Sequence, residues 1–116
     1  MATPTPHSPT PATDAQAGAV FAALADPTRR HLVEALAASP GATATGLAAG
    51  LPISRQAVAK HLATLGEAGL VSRRRSGRET RFELEPRPLT DAAAWIAAVG
   101  GEWDRRLERL RGMLER

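Results

Sequence analysis

Gln56 and Lys60 stand four residues apart in ISRQAVAKHL, a spacing that stacks an amide and an ammonium on one face of a helix. A glutamine amide offers a donor beside an acceptor, which matches the edge that adenine shows in the major groove. Lysine suits guanine or a phosphate. Ala59 and Ala63 keep the surrounding surface low, so that base pairs can approach. Ser54 is placed to cap the helix and to touch a phosphate, and Arg55, at the flank of the helix start, suits a phosphate. Downstream, Arg73, Arg74, Arg75 and Arg78 crowd around Gly77. Arg74, Arg75 and Arg78 are the candidates for phosphate or minor-groove contact, because strand alternation turns Arg73 and Arg81 away from some of the others. This chemistry recognises a polyanion. No nucleophile–base pair, glycine-rich phosphate loop or carboxylate pair in a plausible cleft is present, so the chain is not expected to be an enzyme.

The charge is distributed accordingly. The 116 residues carry a net +3, but residues 54–82 hold seven cations against two acids, and the segments on either side each sum to −1. A local surplus of this kind attracts a polyanion where a uniform +3 would not. The competing explanation is a solvated face whose arginine stems cover the core. The order of elements decides against it.

A first amphipathic helix is expected from about Asp14 to Leu24, with Ala17, Val20, Phe21 and Leu24 on one side. Asp26-Pro27 starts a second, since Asp is a good N-cap and Pro is favoured at the first helical position. Leu32, Val33 and Leu36 form its stripe, and Pro40-Gly41 ends it. Thr43 or Thr45 opens a short third helix through Ala48. Ser54 caps a fourth that reaches Glu67 or Ala68, backed by Val58, Leu62 and Leu65 and closed by Gly69. Residues 71–85 read as a β-hairpin with its tip near Ser76-Gly77-Arg78. A long last helix begins near Leu89 or Thr90, and Gly100-Gly101 could kink or break it. This is the order of a winged helix-turn-helix: mainly α, about five helices, one β-hairpin wing. In such a domain the second helix of the pair enters the major groove and the wing meets the neighbouring backbone.

Four of the nine prolines lie in MATPTPHSPTPAT, so residues 1–13 are expected to be a disordered, Pro-rich tail, and residues 14–116 a single DNA-binding and dimerisation domain. With no cysteine, disulfides and thiolate metal sites are excluded. No apolar run approaches a membrane span and no secretory signal opens the chain, so a cytoplasmic location is expected. His61 points toward the buried flank of its helix and reads as a structural histidine. His31 reads as surface or packing, and His7 lies in the tail. The first and last helices carry more apolar surface than a domain of this size easily covers. Val20, Phe21, Trp95, Val99, Trp103, Leu107 and Leu110 are therefore assigned to a homodimer interface.

The segments FAALADPTRRHLVEAL (residues 21–36) and ISRQAVAKHLATLGEAGLVSRRRSGRETRFEL (residues 53–84) resemble the ArsR (SmtB-like) winged-helix repressors. The likeness covers about residues 15–115. It rests on the ADPTRR start, the S-x-x-x-V-x-x-H-L run from Ser54 to Leu62, the L-x-x-A-G-L-V run from Leu65 to Val71, and R-x-x-G-R from Arg74 to Arg78, in that order. The resemblance implies a homodimer that binds an inverted-repeat operator and blocks transcription. It places base-reading positions at Ser54, Arg55, Gln56, Ala59 and Lys60 and wing contacts at Arg75 and Arg78. Metal-sensing members carry cysteines on the short helix before the turn, or Asp and His on the last helix. Here the short helix reads ATATGLAAGL and the last helix has no histidine. Carboxylates alone make a poor soft-metal site, so no metal or other cofactor is expected. The resemblance is to the non-metal-sensing subgroup, and a small-molecule effector of unknown identity is left open. The alternative reading is a winged-helix module that contacts proteins and leaves its DNA surface idle.

Overall fold

The computed structural model describes residues 11–114. In chain order the elements are α1 (Asp14–Leu24), α2 (Pro27–Ala38), β1 (Ala42–Thr43), α3 (Ala44–Ala48), α4 (Arg55–Glu67), β2 (Val71–Ser76), β3 (Glu79–Leu84) and α5 (Arg87–Leu114). The strands form one antiparallel sheet in the order β1-β3-β2. This is a winged helix-turn-helix. No helix among the described residues is long and apolar enough to cross a membrane.

Each helix starts where a side chain satisfies its first free N–H groups. Thr13 and Gln16 form a reciprocal capping box at α1, with bonds of 3.1 and 2.8 Å. Asp26 caps α2 ahead of Pro27, Thr43 caps α3, and Ser54 caps α4. Gly69, at φ 76°, ends α4 in the left-handed region, and the Leu70 N–H returns to the Leu65 carbonyl at 3.0 Å. Gly77, at φ 62°, is the first of two residues joining Ser76 to Glu79, as in a type II′ hairpin turn, where only glycine is free of strain.

The cap at Asp26 gives the stability a defined acid limb. The backbone N–H of Arg29 donates to its Oδ2 at 3.0 Å and holds the carboxyl below its ordinary 3.8; burial opposes this, and the charges of His61 and Arg29 add to it. A carboxyl lowered by folding stabilises the native state above its unfolded value and loses that contribution as pH falls through the folded value. Asp26→Asn keeps a capping oxygen but does not titrate. Thermal unfolding followed from pH 5 downward is therefore expected to fall more steeply below about pH 4 for the native chain than for Asp26→Asn. Parallel curves would contradict the assignment.

Leu32, Leu36, Val58, Leu62, Leu65 and Leu70 are the large side chains fully enclosed in the core, which joins α2, α4 and the base of the hairpin. Val20 belongs to the same cluster at 3 % exposure, so it offers no surface to a second copy, contrary to the sequence expectation. Its helical stripe faces its own chain.

Three further differences have physical causes. β1 adds a third strand to the expected hairpin, pairing Ala42 with Phe82 and Thr43 with Arg81. α5 starts at Arg87, before the expected Leu89 or Thr90, and runs without a break through Gly100-Gly101. The alanines before that pair and the arginines and leucines after it, all good helix formers, offset the roughly 1 kcal/mol that each glycine costs. Of the expected tail, residues 1–10 lie outside the described residues. Ala12 and Thr13 are tied to the fold, the first by an N–H bond of 3.2 Å to the Asp91 carbonyl and the second by the cap.

Arg29 and Arg30 fasten α1 to α2. The Arg29 guanidinium donates to the carbonyls of Ala23 and Ala22 at 2.6 and 3.2 Å, and that of Arg30 to Leu24 and Ala25 at 2.7 and 3.1 Å. These carbonyls lie at the C-terminal end of α1, where positive charge is favoured.

Candidate nucleic-acid interface

α4 separates its two faces cleanly. Val58, Leu62 and Leu65 are at most 2 % exposed, whereas Ser54, Arg55, Gln56, Ala59, Lys60 and Ala63 are all exposed. The Ser54 hydroxyl accepts the Ala57 N–H at 3.1 Å as it caps the helix. Its own proton remains to donate outward. Gln56 and Lys60 make no side-chain hydrogen bond or ion pair with other described residues, so their polar groups are open to solvent. His61 lies on the inner flank, half-buried, close enough to Asp26 for the charges to interact. His31 is exposed.

The ribbon of β2 and β3 stands beside this helix. Its register pairs Val71 with Leu84, Arg73 with Phe82, Arg74 with Arg81 and Arg75 with Thr80. Directly opposed residues share a side and successive residues alternate. Arg73 and Arg75 therefore lie on the side of Val71, and Arg74 lies on the other. Arg74 reaches Glu83 at 3.5 Å, a largely exposed pair that offsets its charge and adds little stability. Arg81 is structural: it donates to the Gly41 carbonyl at 3.0 Å and pairs with Glu79 at 2.7 Å, holding the start of β1 against the hairpin. The Arg75 Nε–H donates to the Gly77 carbonyl at 3.2 Å, which folds its guanidinium toward the tip, and Arg78 occupies the turn itself, exposed.

The comparisons agree with this geometry. A family model described as a helix-turn-helix domain matches residues 24–74, which span α2 to the middle of β2. The chain is 44 % identical over 85 residues to the HTH-type transcriptional regulator Rv2034 of Mycobacterium tuberculosis, a match covering 73 % of this chain and 76 % of that one. The fold matches the ArsR-like transcriptional regulator from Rhodococcus sp. RHA1 with a TM-score of 0.79 at 40 % identity, over 85 % of this chain and 92 % of the other. The chain belongs to the ArsR-like helix-turn-helix transcriptional regulators. A further relative of this ArsR-like regulator is the transcriptional repressor SdpR of Bacillus subtilis, 32 % identical over 77 residues, or 66 % of this chain and 84 % of SdpR.

The second surface of this ArsR-like regulator is the far half of α5. Every residue from Glu102 to Leu114 is exposed. Ile96, Val99, Trp103, Leu107, Leu110 and Leu114 nevertheless recur at steps of three and four along it, with exposures from 37 to 77 %. Arg106 lies over the Trp103 ring, 5.4 Å from its centroid. Trp95 has a different place from the rest of the expected interface set. It is half-buried, its indole N–H donates to Asp14 Oδ1 at 2.9 Å, and it meets Phe21 edge-on at 5.8 Å. It joins α5 to α1 within one chain, and Phe21 remains 39 % exposed beside it.

Proposed function

We propose that this regulator is a cytoplasmic homodimer that represses transcription by binding an inverted-repeat operator. α4 lies in the major groove, with Ser54, Arg55, Gln56, Ala59 and Lys60 toward the DNA, and Arg75 and Arg78 at the wing tip reach the adjacent backbone or minor groove. The observation that carries this reading is the division of α4: an aliphatic face enclosed in the core, and an opposite face of small and polar side chains left open beside an arginine-bearing ribbon. Repression is supported by the relationship to SdpR, a transcriptional repressor.

A second copy of the chain is the partner that suits α5. A helical stripe of Val99, Trp103, Leu107 and Leu110, with half-exposed Phe21 alongside, is an apolar patch that a solvated monomer rarely leaves open. A helix end whose described residues are all exposed is also marginal by itself in water. Two copies packed along α1 and α5 cover the stripe and set two α4 helices about 34–36 Å apart, one turn of the duplex.

Salt dependence tests the DNA reading. Each phosphate neutralised by a cationic side chain adds nearly one unit to the slope of log K against log salt. Arg75→Ala is expected to weaken binding to all duplexes alike and to flatten that slope by about one unit per chain. A chain that contacts proteins through this surface instead would bind duplexes weakly at every salt concentration.

A further inference from the structure

The ribbon distributes its charge unevenly between its two sides. Its outer side carries Arg74 and Arg81 together with Glu79 and Glu83, which balance them. Its inner side carries Arg73 and Arg75 with no acid between them. Val71, only 7 % exposed and part of the core, fixes which side faces α4. Arg73 makes no hydrogen bond or ion pair with any other described residue, and it is exposed.

Between this inner side and α4 runs a cleft of about 540 Å³, lined by Ala59, Ala63 and Gly66 on the helix and by Val71, Arg73 and Phe82 on the ribbon. On the helix wall Ala59, Ala63 and Gly66 carry nothing longer than a methyl group, and Leu62, 2 % exposed, and Glu67 complete that wall. At about 100° per residue, Arg55 falls on the same flank of α4 as Ala59 and Gly66, toward the start of the helix and outside the lining of the cleft. Glu67 is the one acid on its lining, at the opposite end of α4 from Arg55.

We infer that this cleft seats one sugar–phosphate strand of the duplex, and that Arg73 is the strand residue of the wing that binds phosphate, in place of its neighbour Arg74. The inference rests on the DNA reading above and extends it. A phosphate strand is the occupant that the chemistry fits: Arg73 on the ribbon wall with Arg75 further along the same side, Arg55 on the flank of α4 beyond Ala59, and small side chains at Ala59, Ala63 and Gly66 that a bulky backbone can approach. Arg74 faces the other way, beside Glu83. Two adjacent arginines thus have opposite roles, set by the alternation of one strand.

The test uses the full chain and a fluorescent mixed-sequence duplex of about 30 base pairs, roughly three turns, because phosphate contacts do not depend on sequence. Binding is titrated against salt for the native chain, Arg73→Ala, Arg73→Lys, Arg74→Ala, Arg75→Ala and Ala63→Leu, with thermal unfolding as the check on folding. Arg73→Ala is expected to flatten the salt slope by about one unit per chain. Arg73→Lys should retain the slope, and Arg74→Ala should leave it nearly unchanged. Ala63→Leu fills the cleft without altering charge, and is expected to weaken binding several-fold at every salt concentration. If Arg74→Ala flattens the slope as much as Arg73→Ala, or Ala63→Leu binds like the native chain, the cleft does not hold the strand. If the native chain binds and Arg75→Ala flattens the slope while Arg73→Ala does not, the cleft inference alone falls. If the native chain binds no duplex at any salt concentration, the DNA reading falls and takes the inference with it.

Discussion

Gln56→Ala is expected to weaken operator binding by about 1–3 kcal/mol per half-site, roughly 5- to 150-fold, with the loss concentrated at one base pair. The reason is positional. Gln56 sits in the first turn of α4, where a groove-docked helix brings side chains nearest the base edges, and no other described residue engages its amide. Removing it deletes a two-bond match to adenine and leaves that base edge unpaired in a desolvated contact. Nothing in the core leans on the side chain, so thermal stability should change by less than about 0.5 kcal/mol. The measurement is operator affinity across all four bases at each position of the half-site. A uniform loss at every position, or none, would remove Gln56 from base reading.

Trp103→Asp is the second large effect. Trp103 is 56 % exposed in the single chain, with Arg106 over its ring, on a part of α5 where every neighbouring residue is also exposed. In the proposed dimer it lies in the seam between two copies. A carboxylate placed there must be desolvated without a partner, at a cost of several kcal/mol, enough to dissociate a modest interface. Sedimentation should show monomer at concentrations where the native chain is dimeric. Operator affinity should fall by about 10²–10⁴, because the second half-site then no longer binds as an intramolecular event. The wing and α4 are remote from the change and should keep their packing. A dimer of undiminished strength would place the interface elsewhere.

Much of the exposed α4 surface was legible in the sequence because local rules set it. Ser54 ahead of an aliphatic stripe fixes where α4 begins and which face it buries. Gly69 and Gly77 mark two places where the backbone needs a positive φ. The misses are all matters of what lies next to what. β1 is two residues long and exists because β3 and Arg81, some 40 residues later, are there to receive it. Val20 was assigned to a second copy because a helical stripe does not say whose surface it meets. Trp95 was assigned there too, and the sequence did not show that it also bonds to Asp14, 81 residues away. The capping of α1 by Arg29 and Arg30 left a usable signal, since two cations a few residues past a helix end are placed for its carbonyls. Arg73 left one as well: once Val71 is taken as core, every second residue after it faces α4.

Selection of bound duplexes from a random pool by the 116-residue chain tests the central claim most directly. The account expects an inverted repeat whose half-site centres are separated by about 10–10.5 base pairs, or a multiple of that, with the strongest preference where Gln56 and Lys60 meet the bases. Recovery of a lone unrepeated site, of half-sites at a spacing two α4 helices cannot span, or of no enriched sequence at all would contradict it.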